Sequence, residues 1–241
     1  MRSKYAGDVG DFGKYGLLRA LCRRDQHGEK LRLGVVWYFV SEKGLEYLSQ
    51  EGQSRFAGCD DDLYAKLQRI VQARSLSFIE RANVLPRNTV FFRESVRPSS
   101  IREEWLDRAV DKVKDCEVVF LDPDTGLRDS LDRDNARRTE YAYLDEVSKF
   151  PDSGDHKSIV VYHHLGRRRH DEQITEWLAL LRQQFPRRSP FALRFRPYSP
   201  RAFLVLPARA HERLLLKRAN AFLQTRWGRG KKPHFNLILG K

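Results

Sequence analysis

Two carboxylates stand two residues apart at the end of a strongly apolar run, Val118-Val-Phe-Leu-Asp122-Pro-Asp124-Thr-Gly126. Val-Val-Phe-Leu has the composition of a strand buried on both faces. Pro123 cannot donate to a sheet ladder, so the strand must stop at Asp122. Asp, Pro, Thr and Gly are also ordinary turn residues, and a turn is expected here whatever else the segment does. Carboxyl groups this close can hold a divalent cation, or can separate their pKa values so that one acts as a base. Asp122 and Asp124 are therefore candidate catalytic residues. On a metal reading they join Asp8 as candidate ligands of Mg²⁺ or Mn²⁺.

A second apolar run, Ser158-Ile-Val-Val-Tyr162, leads straight into His163 and His164 and then to Arg167, Arg168 and Arg169. A histidine leaving the end of a buried strand can serve as a general base or a metal ligand. Neighbours in an extended chain point to opposite faces, so one of the two would serve any given site. The simpler reading is a pair of structural or surface histidines. His156, His170, His211 and His234 lack such a context.

The third candidate is Tyr5-Ala-Gly-Asp-Val-Gly-Asp-Phe-Gly-Lys-Tyr-Gly-Leu-Leu18, in which Gly7, Gly10, Gly13 and Gly16 recur every third residue among Asp8, Asp11 and Lys14. Backbone amides at such a helix start can cradle an anion, and Gly10, Asp11 and Gly13 are the candidates for holding a cofactor there. A plain glycine-rich lead into a helix is the alternative. The block is a near miss to a P-loop: the first glycine would fall on Asp8, Tyr15 replaces Ser/Thr, and no strand precedes it. A halo-acid-dehalogenase-type phosphatase is also a poor match, because Thr125-Gly126 reverse its Gly-Thr order and the motif lies mid-chain.

The elements that must position these residues alternate. Phe12 to Arg24 reads as a helix with Asp11 as candidate N-cap. Leu33 to Val40 reads as a buried strand. Asp60-Asp61-Asp62 open a helix to about Ala73, and Thr89 to Phe92 form a short strand. Ser99 or Ser100 caps a helix to about Lys114, and Glu117 to Asp122 is a strand. Residues 128–139 should be a surface loop and Glu140 to Phe150 a short helix. Ser158 to Tyr162 is a strand and Glu172 to Phe185 an amphipathic helix. Phe191–Arg196 and Ala202–Leu206 look like a hairpin around Pro197-Tyr-Ser-Pro200. Arg209 to Thr225 is the last helix and His234 to Leu239 the last strand. Buried strands separated by helices predict a single α/β domain over 1–241. It should be a Rossmann-like three-layer sandwich, with a mostly parallel sheet and an antiparallel hairpin near its C-terminal end. In such sheets the reactive site lies at the carboxyl ends of the strands. Asp122, Asp124 and a histidine should meet there, with the N-terminal block packed beside them.

Composition bounds the function. The 241 residues are 41% apolar and 11% aromatic, enough for a core. Mean hydropathy is −0.62, with no apolar run near the roughly 18 residues of a membrane span. No signal peptide is expected from the N-terminal sequence. Cys22, Cys59 and Cys116 lie far apart, which argues against a disulfide framework or a cysteine zinc site and for a reducing cytoplasm. Lys+Arg number 45 against 32 Asp+Glu, net +13. The excess lies in the last third: residues 167–241 hold 18 basic and 4 acidic residues. An arginine-rich surface of one sign suits phosphate, so RNA or DNA is the expected partner, with Arg167, Arg168 and Arg169 the first contacts. A solvated basic face is the alternative.

The N-terminal block resembles the lead segment of the ribosomal-RNA methyltransferase J family: an Ala-Gly, an Asp, then a Lys and an apolar helix before the first strand. The strand ending in Asp122-Pro123 resembles the Asp-Pro-Pro-Tyr motif of amino-group methyltransferases of the Rossmann-fold class. The chain as a whole is similar to a group of bacterial proteins of this size, a likeness that implies no activity. The methyltransferase resemblance implies an S-adenosylmethionine cofactor, Asp122 holding the target amine and Lys14 near the active site. Asp124 and Thr125 depart from the motif, replacing its second Pro and its Tyr, and a single glycine, Gly44, follows the first strand. The leading expectation is thus a nucleic-acid-acting enzyme of methyltransferase type, with Asp122, Asp124, Lys14, His163 and His164 as its catalytic candidates. A divalent-metal nuclease or phosphodiesterase and a non-catalytic nucleic-acid-binding subunit are the rivals.

Overall fold

A computed structural model describes residues 9–24, 28, 30–39, 56, 58–73, 76–96, 101–130, 138–151 and 155–240. In chain order its elements are α1 (Val9–Cys22), β1 (Leu33–Trp37), α2 (Asp61–Ala73), α3 (Leu76–Arg81), β2 (Val90–Phe92), α4 (Arg102–Lys112), β3 (Val118–Asp122), β4 (Gly126–Arg128), β5 (Tyr141–Tyr143), α5 (Leu144–Val147), β6 (Ser158–His164), α6 (His170–Gln184), β7 (Phe191–Phe195), β8 (Arg201–Leu206), α7 (Glu212–Leu223) and β9 (Phe235–Leu239). Seven strands form one sheet in the order β2-β1-β3-β6-β8-β7-β9, and β4 and β5 pair separately. The run β2-β1-β3-β6 is parallel throughout. β8 is antiparallel to β6 and to β7, and β9 is antiparallel to β7. The chain is therefore a mixed α/β structure around a mostly parallel seven-stranded sheet.

The central strands are apolar over Val35–Trp37, Val118–Leu121 and Ile159–Tyr162 because helices cover both faces. Val35, Trp37, Val118, Phe120, Val160 and Tyr162 pack with side chains of α1, α2 and α7. The alternate set, Val36, Tyr38, Val119, Leu121, Ile159 and Val161, packs with Trp105 and Leu106 of α4 and with Ile174, Leu178 and Leu181 of α6. Register then decides the rim. Trp37 is level with Asp122, and Leu121 with Val161. His164 is level with Arg201, which is in turn level with Phe195. The ends of β1, β3, β6 and β7 and the start of β8 thus share one rim of the sheet.

Several boundaries differ from the sequence reading. α1 begins at Val9, so Asp11 sits inside its first turn rather than capping it; its carboxylate accepts from Lys14 one turn on. β1 ends at Trp37 and not Val40, which lies outside the described residues. β6 runs on through His164, so both histidines belong to the strand. Glu140–Phe150 is not one helix: Tyr141–Tyr143 pairs in parallel with Gly126–Arg128, and α5 starts at Leu144. The physical reason is tertiary. Glu146 accepts from the Tyr143 amide and holds Arg102 of α4, which pins the chain extended before the helix begins. Asp8, Ser99, Ser100 and residues 131–137 lie outside the described residues. Asp60 does cap α2, its Oδ1 accepting from the Leu63 amide at 2.9 Å.

Candidate active site

Asp122 ends β3 on the face covered by α1. The ammonium of Lys14 donates to Asp122 Oδ2 and to Asp11 Oδ1, both at 2.9 Å, and all three side chains are at most 5% exposed. Lys14 Nζ also lies 4.9 Å from the centre of the Tyr162 ring, with Trp37 and Phe120 about 6.0 Å away. An aromatic cage of this kind favours a cation electrostatically.

The glycines explain how α1 comes so close. A Cβ at Gly10 would stand 2.7 Å from the Arg201 guanidinium, one at Gly13 2.8 Å from the Phe195 ring, and one at Gly16 2.6 Å from Trp227. The three-residue spacing is one face of a helix pressed on the rest of the fold. Gly10 and Gly13, put forward for a cofactor, turn this face to side chains of the chain itself. Asp11, the third of that set, is bound to Lys14.

Burial works against the charge on Lys14, but Asp11 and Asp122 together outweigh it and hold its pKa above the ordinary lysine value. Burial pushes the Asp122 carboxyl above the usual carboxylate range, against the pull of Lys14. The two directions are compatible because one ammonium is shared by two carboxylates: each carboxylate has part of a cation, while the lysine has two anions.

The adjacent histidines face opposite ways. His164 is on the Lys14 side: its Nε2 is 3.2 Å from the Tyr162 hydroxyl and its Nδ1 3.4 Å from Ser199 Oγ. Burial, then the charges of Arg201 and Lys14, lower its pKa to about 3. His163 lies on the other face, against Trp177 of α6, and its Nδ1 accepts from the Leu127 amide at 3.0 Å. Burial lowers its pKa to about 4. Both rings are neutral at pH 7. His163 is a structural acceptor that fixes the turn after Asp122, whereas His164 belongs to the cluster around Lys14.

That turn is tightly held. The Thr125 amide donates to the Glu140 carbonyl, and the His164 amide to the Thr125 carbonyl. Gly126 has φ +135°, and a Cβ there would lie 2.5 Å from His163 Nδ1. Glycine is required at this position on both counts. Asp124 is half-buried in the turn; of the two carboxylates, Asp122 is the one paired with Lys14. Among the described residues no group of three or more His, Cys, Asp or Glu side chains is placed to hold a metal ion. The point between Asp11 and Asp122 is taken by the Lys14 ammonium, and the described donors do not fit Mg²⁺ or Mn²⁺. Asp8 is outside the described residues.

The basic third divides in two. Arg188, Arg201 and Arg218 are buried. Arg218 donates to the Leu21 carbonyl, and Arg188 to the Lys157 carbonyl. Arg167, Arg168 and Arg169 are exposed just past the end of β6. Arg168 pairs with Glu176 and Arg169 with Glu172, both on α6. Arg196, Arg226, Arg229, Lys231 and Lys232 are also exposed, in the segments that lead into β8 and β9 from the Asp122 rim.

Two site residues, Tyr162 and Arg201, escape the sequence reading. Tyr162 stands between the strand and the histidines and was counted only as core. Arg201 is one of many arginines, distinguished by nothing but its place opposite His164. Asp11, a candidate for cap and cofactor, belongs to the site in a different role, as the i,i+3 ion-pair partner of Lys14. No protein-family model matches the chain, and no curated protein is similar to it.

Proposed function

We propose that the chain is a nucleic-acid-acting enzyme of methyltransferase-like, Rossmann-type fold, with its reaction centre at Asp122 and Lys14. The observation that carries this reading is the 2.9 Å contact from Lys14 Nζ to Asp122 Oδ2, which joins the N-terminal block to the end of β3. These are the two segments on which the methyltransferase resemblance rests. The antiparallel β7–β8 pairing supports the sandwich with a late hairpin, and the exposed arginines and lysines of the same rim support a polyanionic partner. Three free cysteines fit a reducing cytoplasm as its setting.

Asp122 would accept a hydrogen bond from a substrate amino group and orient its lone pair. Its raised pKa makes it a better proton acceptor than a carboxylate in water. Lys14 would fix the carboxylate, and Tyr162 and His164 would fix Lys14. Because Asp122 is 1% exposed, substrate entry needs a local opening of the rim. S-adenosylmethionine would supply the methyl group on this reading. The described residues do not form its cradle: Gly10 and Gly13 pack on Arg201 and Phe195, and Trp37 and Tyr38 are fully buried where β1 ends. No transfer step follows from them.

The test is transfer of tritium from methyl-labelled S-adenosylmethionine to total RNA and to DNA, with filter binding of both polymers across salt concentrations. Transfer by the wild type that is lost in Asp122→Asn, with binding retained, is the expected result. Binding without transfer leaves a non-catalytic module. The absence of both transfer and low-salt binding overturns the proposal.

A further inference from the structure

The link between β7 and β8, Arg196-Pro197-Tyr198-Ser199-Pro200, lies on the rim that carries Asp122 and His164. Tyr198 is 60% exposed, more than any other large apolar side chain described. Its φ is +57°. Among the described residues the other non-glycine positions with positive φ are Asn83, Asn88 and Asp155. Asn and Asp are the non-glycine types that commonly occupy the left-handed region, and tyrosine is a rare occupant of it. A glycine or asparagine would serve the turn better, so the ring is kept at a position its own backbone disfavours. Strain of this kind points to a use for the side chain.

The turn is also rigid. Prolines flank it, and Pro197 is buried. The Leu165 amide donates to the Pro200 carbonyl, and the Arg196 amide to the His234 carbonyl. Ser199 Oγ meets His164 Nδ1 at 3.4 Å. The ring therefore stands on a base fixed to the end of β6 and the start of β9. The exposed charges that border the same rim are mostly basic: Arg196 next to it in the chain, Arg167 past β6, and Lys231 and Lys232 before β9, while Arg168 and Arg169 are exposed but paired with Glu176 and Glu172. A flat apolar ring presented among cations suits a ligand with flat rings on an anionic backbone.

We propose that Tyr198 is a stacking platform for an unpaired base of single-stranded nucleic acid, held on this rim by the surrounding arginines and lysines. The inference rests on the reading that the rim binds nucleic acid. A stacked base places the strand over the His164–Tyr162–Lys14 cluster, so Tyr198 is a positioning residue for a substrate and not a catalytic one. Stacking tolerates any base, so the contact confers preference for single strands rather than for a sequence.

Fluorescence anisotropy of a labelled single-stranded 12-mer tests it, using the full chain. Tyr198→Asn keeps the left-handed backbone and removes the ring. It should weaken binding roughly tenfold to a hundredfold, the range that base–aromatic stacking contributes. Tyr198→Phe and Tyr198→Trp should retain affinity. The salt slope should be unchanged, and an abasic 12-mer should bind wild type and Tyr198→Asn alike. Equal binding of the normal 12-mer by wild type and Tyr198→Asn overturns the proposal and leaves the ring for a protein contact. So does an equal loss on the abasic strand. If the wild type binds no oligonucleotide at low salt, the underlying reading of the rim fails as well, which separates the two failures.

Discussion

Lys14→Met and Asp122→Asn should have unequal consequences for stability, although both remove a charge from the same contact. Methionine keeps the length and apolar contacts of Lys14 beside Tyr162, Trp37 and Phe120 but leaves Asp11 and Asp122 buried without their ammonium. Removing one partner from a buried ion cluster costs about 3–5 kcal/mol. For a chain of this size the melting temperature should fall by roughly 6–20 °C. In Asp122→Asn, Lys14 keeps Asp11, and the amide oxygen can still accept its hydrogen bond. Burial holds the Asp122 pKa above its unfolded value, so the folded state binds this proton more tightly than the unfolded chain. Stability from this group therefore falls as pH rises from the ordinary carboxylate value through the folded one, above which its burial opposes folding. Lys14, with its pKa raised, stays charged across this range and adds no slope. Asp122→Asn should accordingly lie within about 1 kcal/mol of the wild type at pH 7.5, or be more stable. The wild type should gain on it as pH falls toward 4. Denaturant unfolding of the three proteins, followed by tryptophan fluorescence at pH 5 and pH 7.5, measures this. An Asp122→Asn variant as unstable as Lys14→Met would refute the reasoning, because Asp122 would then be an ordinary stabilising ion-pair partner.

Acid should destabilise the fold through the two neutral histidines. Their folded pKa values of about 4 and about 3 lie below the unfolded 6.5, so stability is lost as pH drops below 6.5. The loss is on the order of 3 kcal/mol for His163 by pH 4; circular dichroism should show a shallower acid transition in His163→Gln, and an unchanged one would count against this. Gly126→Ala should destabilise by about 1–3 kcal/mol from the backbone alone, with more from overlap with His163, read as a drop in denaturation midpoint. Arg102→Met leaves Glu146 buried without its cation, and should cost about 3 kcal/mol while leaving nucleic-acid binding unchanged, because the pair lies on the face away from Lys14. Replacing Arg167, Arg168 and Arg169 together with Ala should keep the fold and shallow the slope of log K against log salt on duplex DNA by about two units. A change under about half a unit would show that the pairs with Glu172 and Glu176 persist and that other cations meet the backbone.

Local pattern was enough for the strands of the main sheet and the end at which they matter, but not for the β4–β5 pair, which depends on the contacts of Glu146. Val118–Leu121 and Ile159–Val161 read as buried strands because both faces demand apolar side chains, and Pro123 ends its strand from covalent geometry alone. The same alternation by itself places His163 and His164 on opposite faces. Tertiary contact decided what the polar residues do. Glycines at every third position look the same in sequence whether they cradle an anion or admit a neighbouring side chain; only the approach of Arg201, Phe195 and Trp227 distinguishes these readings. The Lys14–Asp122 pair spans more than a hundred residues, and no spacing rule reaches that far. The net charge of the last third is a property of composition. Which of its arginines are buried against Leu21 and Lys157, and which stand exposed near Tyr198, follows from how α7 and the segment before β7 pack on the rest of the fold. A shift of one residue would exchange the two faces and take Asp122 away from Lys14.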